Sequence, residues 1–306
     1  MAFPPYCYSF PLMGSDCQLT LHADNEARAD QIANIATAEA WRIESKYSRF
    51  RDDSTLSEIN RAASRGESIE IDDETAQLFD YAASAFQLSG GLFDISSGVL
   101  RRVWDFSTAE LPLPSAVESI LPLIGLQKIT RDEMQLRFAI PGMELDFGGI
   151  GKEYAADRCA DICNEMGITS GLIDFGGDMR AIGTQPDGKP WQIGIRHPGN
   201  PVTSLGTIQL TSGAVATSGN YERYIEAGGK RYCHILDPRT GWPVSGLASV
   251  TVVADHCLLA GTLSTIAMLK GSAGKEWLLE LGVQHCWVDD QLQLGGNLAP
   301  AATQPG

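Results

Sequence analysis

From Asn25 to Ser48, the apolar residues Ile32, Ile35, Ala36, Ala40 and Ile43 recur at steps of three and four, the spacing of one helical face. A short helix is predicted over "STLSEINRAA", with Ser54 as its N-cap and Glu58 near the capping-box position. A second long helix covers "DDETAQLFDYAASAFQLSGG" and stops at Gly90–Gly91. "KEYAADRCADICNEMG" reads as a helix ended by Gly167, and "CLLAGTLSTIAMLKG" and "GKEWLLELG" as two more. "LPLPSAVESILPLIG" is a proline-punctuated linker with a short helix. Period-two or short apolar runs predict strands at "CQLTLHA", "GLIDFGG", "WQIGIRH", "GTIQLTS", "GAVATSG", "ERYIEA", "RYCHILD", "ASVTVVA" and "HCWVDD". "MQLRFAI" and "MELDF" read as a strand pair. Helices dominate early and adjacent strands late. That order predicts an α+β fold with largely antiparallel sheets flanked by helices, not a doubly wound sheet. Residues 1–306 read as one domain, or as two closely packed α+β lobes with a site between them, with a frayed tail over about 295–306.

Composition narrows the function. The 306 residues are 43% apolar, enough for a sizeable core. With 23 basic against 38 acidic residues the net charge is −15, and no run of Lys or Arg makes a basic face. Nucleic-acid binding is thereby excluded as an expectation. An anionic ligand would need a local remedy: a cation, a lysine or a helix N-terminus. No stretch of about 18 apolar residues predicts a membrane span. The N-terminal residues lack a basic n-region, so a cytoplasmic protein is expected, periplasmic only if the true start lies upstream. Seven cysteines in irregular spacing fit a reducing compartment. Cys159 and Cys163, four apart on a helix, read as small core residues ahead of metal ligands.

Several motifs carry possible chemistry. "ELDFGGIGKEYAADR" is a strand, a glycine-rich turn and a helix start with Lys152. Close backbone approach, free helix N–H groups and a positive charge suit a phosphate, and a simple tight turn fits as well. Gly176 and Gly177, before Asp178, mark either a sheet bend or a close approach. Asp94, in "SGGLFDISSGVL", either caps the next turn or meets a ligand. Thr217 and Ser218 sit beside Gly219 at a strand end, where hydroxyls bond a phosphate or a turn backbone. In "RYCHILDPRTGWPVSG", His234 and Asp237 are a candidate general-base pair, while "DPRTG" is a good turn sequence by itself.

In this order along nearly the whole chain, the segments "LMGSDCQLTLHA", "KYSRFRDDSTLSEIN", "SGGLFDISSGVL", "LDFGGIGKEYAAD", "LIDFGGDMRAIG" and "ATSGNYERYIEAGGKRYCHILDPRTGWPV" resemble the FAD:protein FMN transferases, the ApbE-like flavin transferases. The resemblance implies an ApbE-like fold and a Mg²⁺-dependent reaction. FAD is the substrate, the FMN half passes to a Thr or Ser hydroxyl of a partner flavoprotein, and AMP leaves. It also implies roles. Met13 falls on a flavin contact, Phe50 where a tyrosine often packs on FAD, and Gly91, Leu92, Phe93 and Asp94 on a flavin-binding turn. Asp146 and Lys152 match the charged residues of the turn–helix motif, and Leu236 lies in a strand lining the flavin site. The Gly149 carbonyl is placed to meet the metal.

One position departs from the pattern. Family members commonly read "ADALAT" or "ADAWDT" where this chain reads "AGTLST", so Gly261 replaces a metal-binding aspartate. Ser264 falls where some members carry a second acid, and Thr265 is retained. Mg²⁺ favours oxygen ligands with carboxylate charge, so the resemblance implies a weakened metal set of Ser264, Thr265, carbonyls and phosphate oxygens. A small residue that lets this helix pack closely is the plain account of Gly261. Two other functions stay open: an FAD-binding paralogue with weak or no transfer, acting as carrier or sensor, and an FAD pyrophosphatase.

Overall fold

The computed structural model describes residues 3–298, apart from residue 109. Strand β1 (Pro5–Leu12) pairs with β2 (Ser15–His22), and the chain reverses at Met13 and Gly14, with φ of 49° and 72°. Two consecutive positive φ values match the right-handed twist of the flanking strands. Helix α1 (Glu26–Tyr47) is capped by Asn25, which accepts from the Arg28 N–H. Its expected stripe is buried at Ile32, Ala36, Ala40 and Ile43, but Ile35 lies off the edge and is 44% exposed. Ser54 caps α2 (Thr55–Arg65) by accepting from the Ser57 N–H. Ser57, not Glu58, holds the third helical position, so no capping box forms. After β3 (Ser68–Glu70), α3 (Asp73–Ser89) starts on the Asp72 cap and ends at Gly90 in the left-handed conformation. The proline-punctuated linker holds α4 (Pro114–Ile120).

Strands β4 (Ile129–Asp132) and β5 (Gln135–Phe138) join β3 in a small sheet ordered β3-β5-β4. The expected partner strand at "MELDF" does not form. The Asn60 side chain takes a strand's place there: its amide donates to the Leu145 carbonyl (2.9 Å) and its oxygen accepts from the Leu145 N–H (2.7 Å). The Asp146 N–H donates to the Ile95 carbonyl. The segment is thus satisfied without joining a sheet.

Helix α5 (Gly151–Glu165) leads into β6 (Gly171–Phe175) and β7 (Asp178–Ile182), then the hairpin β8 (Trp191–His197) and β9 (Asn200–Leu210). Next come β10 (Gly213–Gly219), the small hairpin β11 (Tyr224–Ala227) and β12 (Lys230–Cys233), and β13 (Leu247–Ala254). Helices α6 (Cys257–Leu269) and α7 (Gly274–Glu280) precede β14 (Gln284–Asp289) and β15 (Leu294–Gly296). The main sheet has eight strands in the order β1-β2-β6-β7-β10-β13-β14-β15, with every pairing antiparallel. The fold is α+β, as the pattern predicts.

Residue alternation sets the layers. Ala216 of β10, with Val250 and Val252 of β13, packs on α6 through Ala260, Leu263 and Ala267. Neighbouring Val215 points the other way, into a cluster with Trp191, Ile193, Ile195, Ile208 and Leu210 of the β8–β9 hairpin. With both faces covered, β13 is buried at six consecutive positions, which is why "ASVTVVA" reads as an unbroken apolar run. Cys159 and Cys163 are buried in the largest core cluster, where α1 meets α5. Residues 295 and 296 lie in β15, and the Asn297 side chain accepts from the His285 N–H, so the expected tail does not begin at 295. Residues 299–306, the rest of that expected tail, lie outside the described part.

Candidate active site

Four chain segments meet at one end of the main sheet: the turn before α5, the β6–β7 turn, the end of β10 and the middle of α6. Each is fixed by local chemistry. Asp146 accepts from the Gly148 N–H (2.8 Å) and pairs with Arg49. Gly149 lies on the Phe93 ring, where an added Cβ would come within 3.2 Å of Cζ. No side chain caps the N-terminus of α5. The Gly151 N–H is taken by the Phe147 carbonyl (2.7 Å), which leaves the Lys152 and Glu153 N–H groups of the first turn without a helical acceptor and turned toward any anion there. Lys152, in the first turn, donates to the Phe175 carbonyl (3.1 Å) and pairs with Asp178. The other Asp178 oxygen accepts from the Thr217 N–H at 3.0 Å. Lys152 is therefore held in place by a buried carboxylate and does not stand free.

Beyond this pair lies a hydroxyl cluster. Ser218 Oγ is 2.8 Å from Ser264 Oγ and 2.9 Å from Thr265 Oγ1, and the Ser264 hydroxyl donates to the Gly261 carbonyl. Thr217 bonds Thr251 behind it at 2.8 Å. Gly261 faces Glu153, the residue after Lys152. A Cβ on Gly261 would lie 2.6 Å from Glu153 Cγ and 3.0 Å from Oε1. Glu153 is 8% exposed; its Oε1 is 3.8 Å from Lys152 Nζ, and its Oε2 is buried with no hydrogen-bond partner. Burial pushes its carboxyl above the usual range. Among the described residues, no three His, Cys, Asp or Glu side chains gather as a metal site. Beside the Lys152 ammonium the site offers hydroxyl and carbonyl oxygens and one unsatisfied buried carboxylate atom, and those oxygen donors fit a small hard cation whose shell ligand oxygens complete.

The rim is built from the first hairpin and the segment around His234. Met13, in its left-handed turn, donates its N–H to Glu44 Oε1 at 2.7 Å. Gly14 beside it faces the Arg223 guanidinium. The Arg223 carbonyl in turn accepts from the His234 N–H and lies 3.2 Å from His234 Nδ1. With a proton on Nδ1 shared to that carbonyl, Nε2 carries the lone pair. Burial lowers the His234 pKa, so the ring is neutral near pH 7.

The expected His234–Asp237 pair is not formed. Asp237 accepts from the backbone and side chain of Arg239, and its carbonyl closes the "DPRTG" turn through the Gly241 N–H (2.7 Å). Burial alone would raise its pKa, but Arg239 pulls it below the ordinary value. Leu236 is not in a strand; it makes a single bridge to Pro243 and packs on the cluster of Val99, Leu100 and Trp104. Leu92 and Phe93 are core side chains, and Gly91 sits at φ 86° just past α3. Asp94 resolves as a cap, accepting from the Ser96 N–H and hydroxyl and the Leu126 N–H. Phe50 is 81% exposed with the Arg49 guanidinium 4.8 Å from its ring centre, an open aromatic face beside the Asp146 pair. The sequence pattern passed over Glu153, Asp178 as the partner of Lys152, Arg49 and Arg223. Glu153 had a readable signal: it and Asp157 are acids four apart on a helix face otherwise lined by Ala155, Ala156, Cys159, Ala160 and Cys163.

Comparison with known proteins places this geometry. A sequence profile of the ApbE family matches residues 13–287. The FAD:protein FMN transferase of Klebsiella pneumoniae is 34% identical over 83% of this chain and 78% of its own length. The protein of the same name from Haemophilus influenzae is 31% identical over 73% of this chain and 68% of its own. The crystal structure of the ApbE protein of Thermotoga maritima superposes with a TM-score of 0.89 at 30% identity, covering 96% of this chain and 97% of that one. The apo flavinyl transferase ApbE of Pseudomonas stutzeri gives 0.88 at 26% identity, covering 99% of both.

Proposed function

The chain belongs to the ApbE family, and on that premise we propose that it is a flavin transferase, moving FMN from FAD to a Thr or Ser hydroxyl of a partner flavoprotein with release of AMP. The observation that carries this reading is the meeting of the uncapped α5 N-terminus, Lys152 and the Ser218–Ser264–Thr265 hydroxyls. In a protein of net charge −15, this is a place where a diphosphate finds N–H groups and a cation. In the reaction the acceptor oxygen forms a bond to the FMN phosphorus. The P–O bond to the AMP phosphate breaks, and the hydroxyl proton passes to a base. His234 is the candidate base, because its Nε2 lone pair is free of the Arg223 contact and the ring is neutral near pH 7. Lys152, steadied by Asp178, opposes charge building on the diphosphate. Mg²⁺ is the expected metal, with Ser264, Thr265 and the Gly149 carbonyl as residues that would hold it. When bound, it would neutralise the diphosphate and the leaving group.

The test is a turnover assay with FAD, Mg²⁺ and an acceptor flavoprotein domain. AMP release that requires the acceptor supports transfer. AMP released equally without it, or FAD bound with no AMP formed, contradicts it.

A further inference from the structure

We propose that Glu153 supplies the metal-binding carboxylate of this site, reaching from α5 into the space that Gly261 leaves open on α6. The inference rests on the reading of the site as a metal-assisted flavin transferase and names the side chain that makes it workable.

Three observations converge. The first is shape. Any side chain at 261 would put its Cβ 2.6 Å from Glu153 Cγ and 3.1 Å from Cδ, so the missing Cβ is what admits the glutamate. A simple close-packing glycine would face the partner helix's backbone or a small side chain. This one faces a carboxyl.

The second is energetic. Glu153 is 8% exposed, and its Oε2 has no hydrogen-bond partner. Leaving a buried carboxyl oxygen unpaired is destabilising, more so when ionised, and an alanine or leucine would fill the space without that cost. The neighbouring ammonium does not satisfy it: Lys152 Nζ is 3.8 Å from Oε1 and is committed to Asp178 and the Phe175 carbonyl. A buried acid kept in that state is poised for a partner.

The third is the surrounding donor set. Ser264 and Thr265 follow Gly261 by three and four positions on α6, one turn along the face that meets Glu153. Both are bonded to Ser218, and Ser264 donates to the Gly261 carbonyl. One carboxylate with hydroxyl and carbonyl oxygens is hard-cation chemistry, and ligand phosphates complete such a shell. Seen this way, Glu153 and Gly261 are one exchange: the charge has moved from one helix to the facing one.

The experiment measures Mn²⁺ as a probe by electron paramagnetic resonance, with FAD present and no acceptor, on the wild-type chain, Glu153→Gln and the double variant Glu153→Gly/Gly261→Asp. Glu153→Gln keeps the size and removes the charge, and should weaken Mn²⁺ binding at least about tenfold. The double variant, which returns a carboxylate from α6 and removes the clash, should bind within a few-fold of wild type. Wild-type affinity in Glu153→Gln would overturn the inference, as would a wild-type chain that takes up no Mn²⁺ with FAD. A thermal melt without metal checks each fold. Should Glu153→Gln not fold, a double variant that folds but binds no Mn²⁺ overturns the inference on its own. A chain that binds Mn²⁺ through Glu153 yet never labels an acceptor leaves this assignment standing and removes the transferase reading instead.

Discussion

At the scale of single residues, Gly261 and Glu153 make opposite demands on stability that a melt can read. Alanine is favoured over glycine in a helix interior by about 1 kcal/mol. At 261, however, the new Cβ would lie 2.6 Å from Glu153 Cγ, and overpacking of that kind costs about 1–3 kcal/mol. Gly261→Ala is therefore expected to lower the melting temperature, against the helix-propensity trend; an unchanged or raised value would show that Glu153 swings away freely. His234 gives a second prediction. Its pKa is lowered by burial, so the neutral ring is lost only as pH falls below the ordinary histidine value of about 6.5. Transfer should be flat from about pH 7 upward through the mildly alkaline range and decline on the acid side. His234→Gln should slow it roughly 10²–10⁴-fold and erase that acid limb. An acid limb that survives in His234→Gln would assign the titration to another group.

At the scale of elements, Glu74 ties three helices together. It sits in the first turn of α3 and bonds Arg42 and Lys46 of α1 and Tyr154 of α5. Burial opposes its ionisation, but those donors win and hold its pKa at about 2. A depressed carboxyl adds stability that is complete above its unfolded value of about 4.3 and is lost as pH falls toward 2. With Arg42 partly exposed and screened, that contribution is on the order of 1 kcal/mol at pH 7. Glu74→Gln should thus melt lower than wild type at pH 7, with the gap closing between about pH 4 and 2; a pH-independent gap would contradict the ion-pair account. Asn60 tests the site's foundation. Asn60→Ala leaves both Leu145 backbone groups unpaired, at about 1–3 kcal/mol. Amide exchange over residues 143–150 should speed up with it, and unchanged exchange would show that the amide is not what holds this segment.

The same elements show what a sequence pattern can carry. Helices α1, α2, α3 and α5 were legible from short-range signals: an apolar stripe in α1, the Ser54 cap of α2, and a terminating glycine after α3 and α5. Strand β13 was legible as apolar but not as a strand covered on both faces, because its second cover is the distant β8–β9 hairpin. "MELDF" alternates like a strand yet is satisfied by Asn60, 85 positions away in sequence. The site divides along the same line. Lys152, Ser218 and Thr265 carry local or family-pattern signals. The Lys152–Asp178 pair, the Arg223–His234 contact and the Glu153–Gly261 fit exist only once strands and helices are stacked.

At the scale of the whole molecule, an antiparallel sheet lined by α5 and α6 brings a helix N-terminus, a lysine, a hydroxyl cluster and a buried acid to one end, under a rim that holds His234. That convergence gives an acidic protein one locally prepared place for a diphosphate. The proposed function requires that this place transfer flavin and not merely hold it. The direct measurement is the intact mass of an acceptor flavoprotein domain after incubation with the chain, FAD and Mg²⁺, with AMP quantified in the same sample. One added FMN per acceptor is expected, with AMP in equal amount and no addition when the acceptor Thr or Ser is replaced by alanine. An acceptor of unchanged mass in the presence of bound FAD would contradict it.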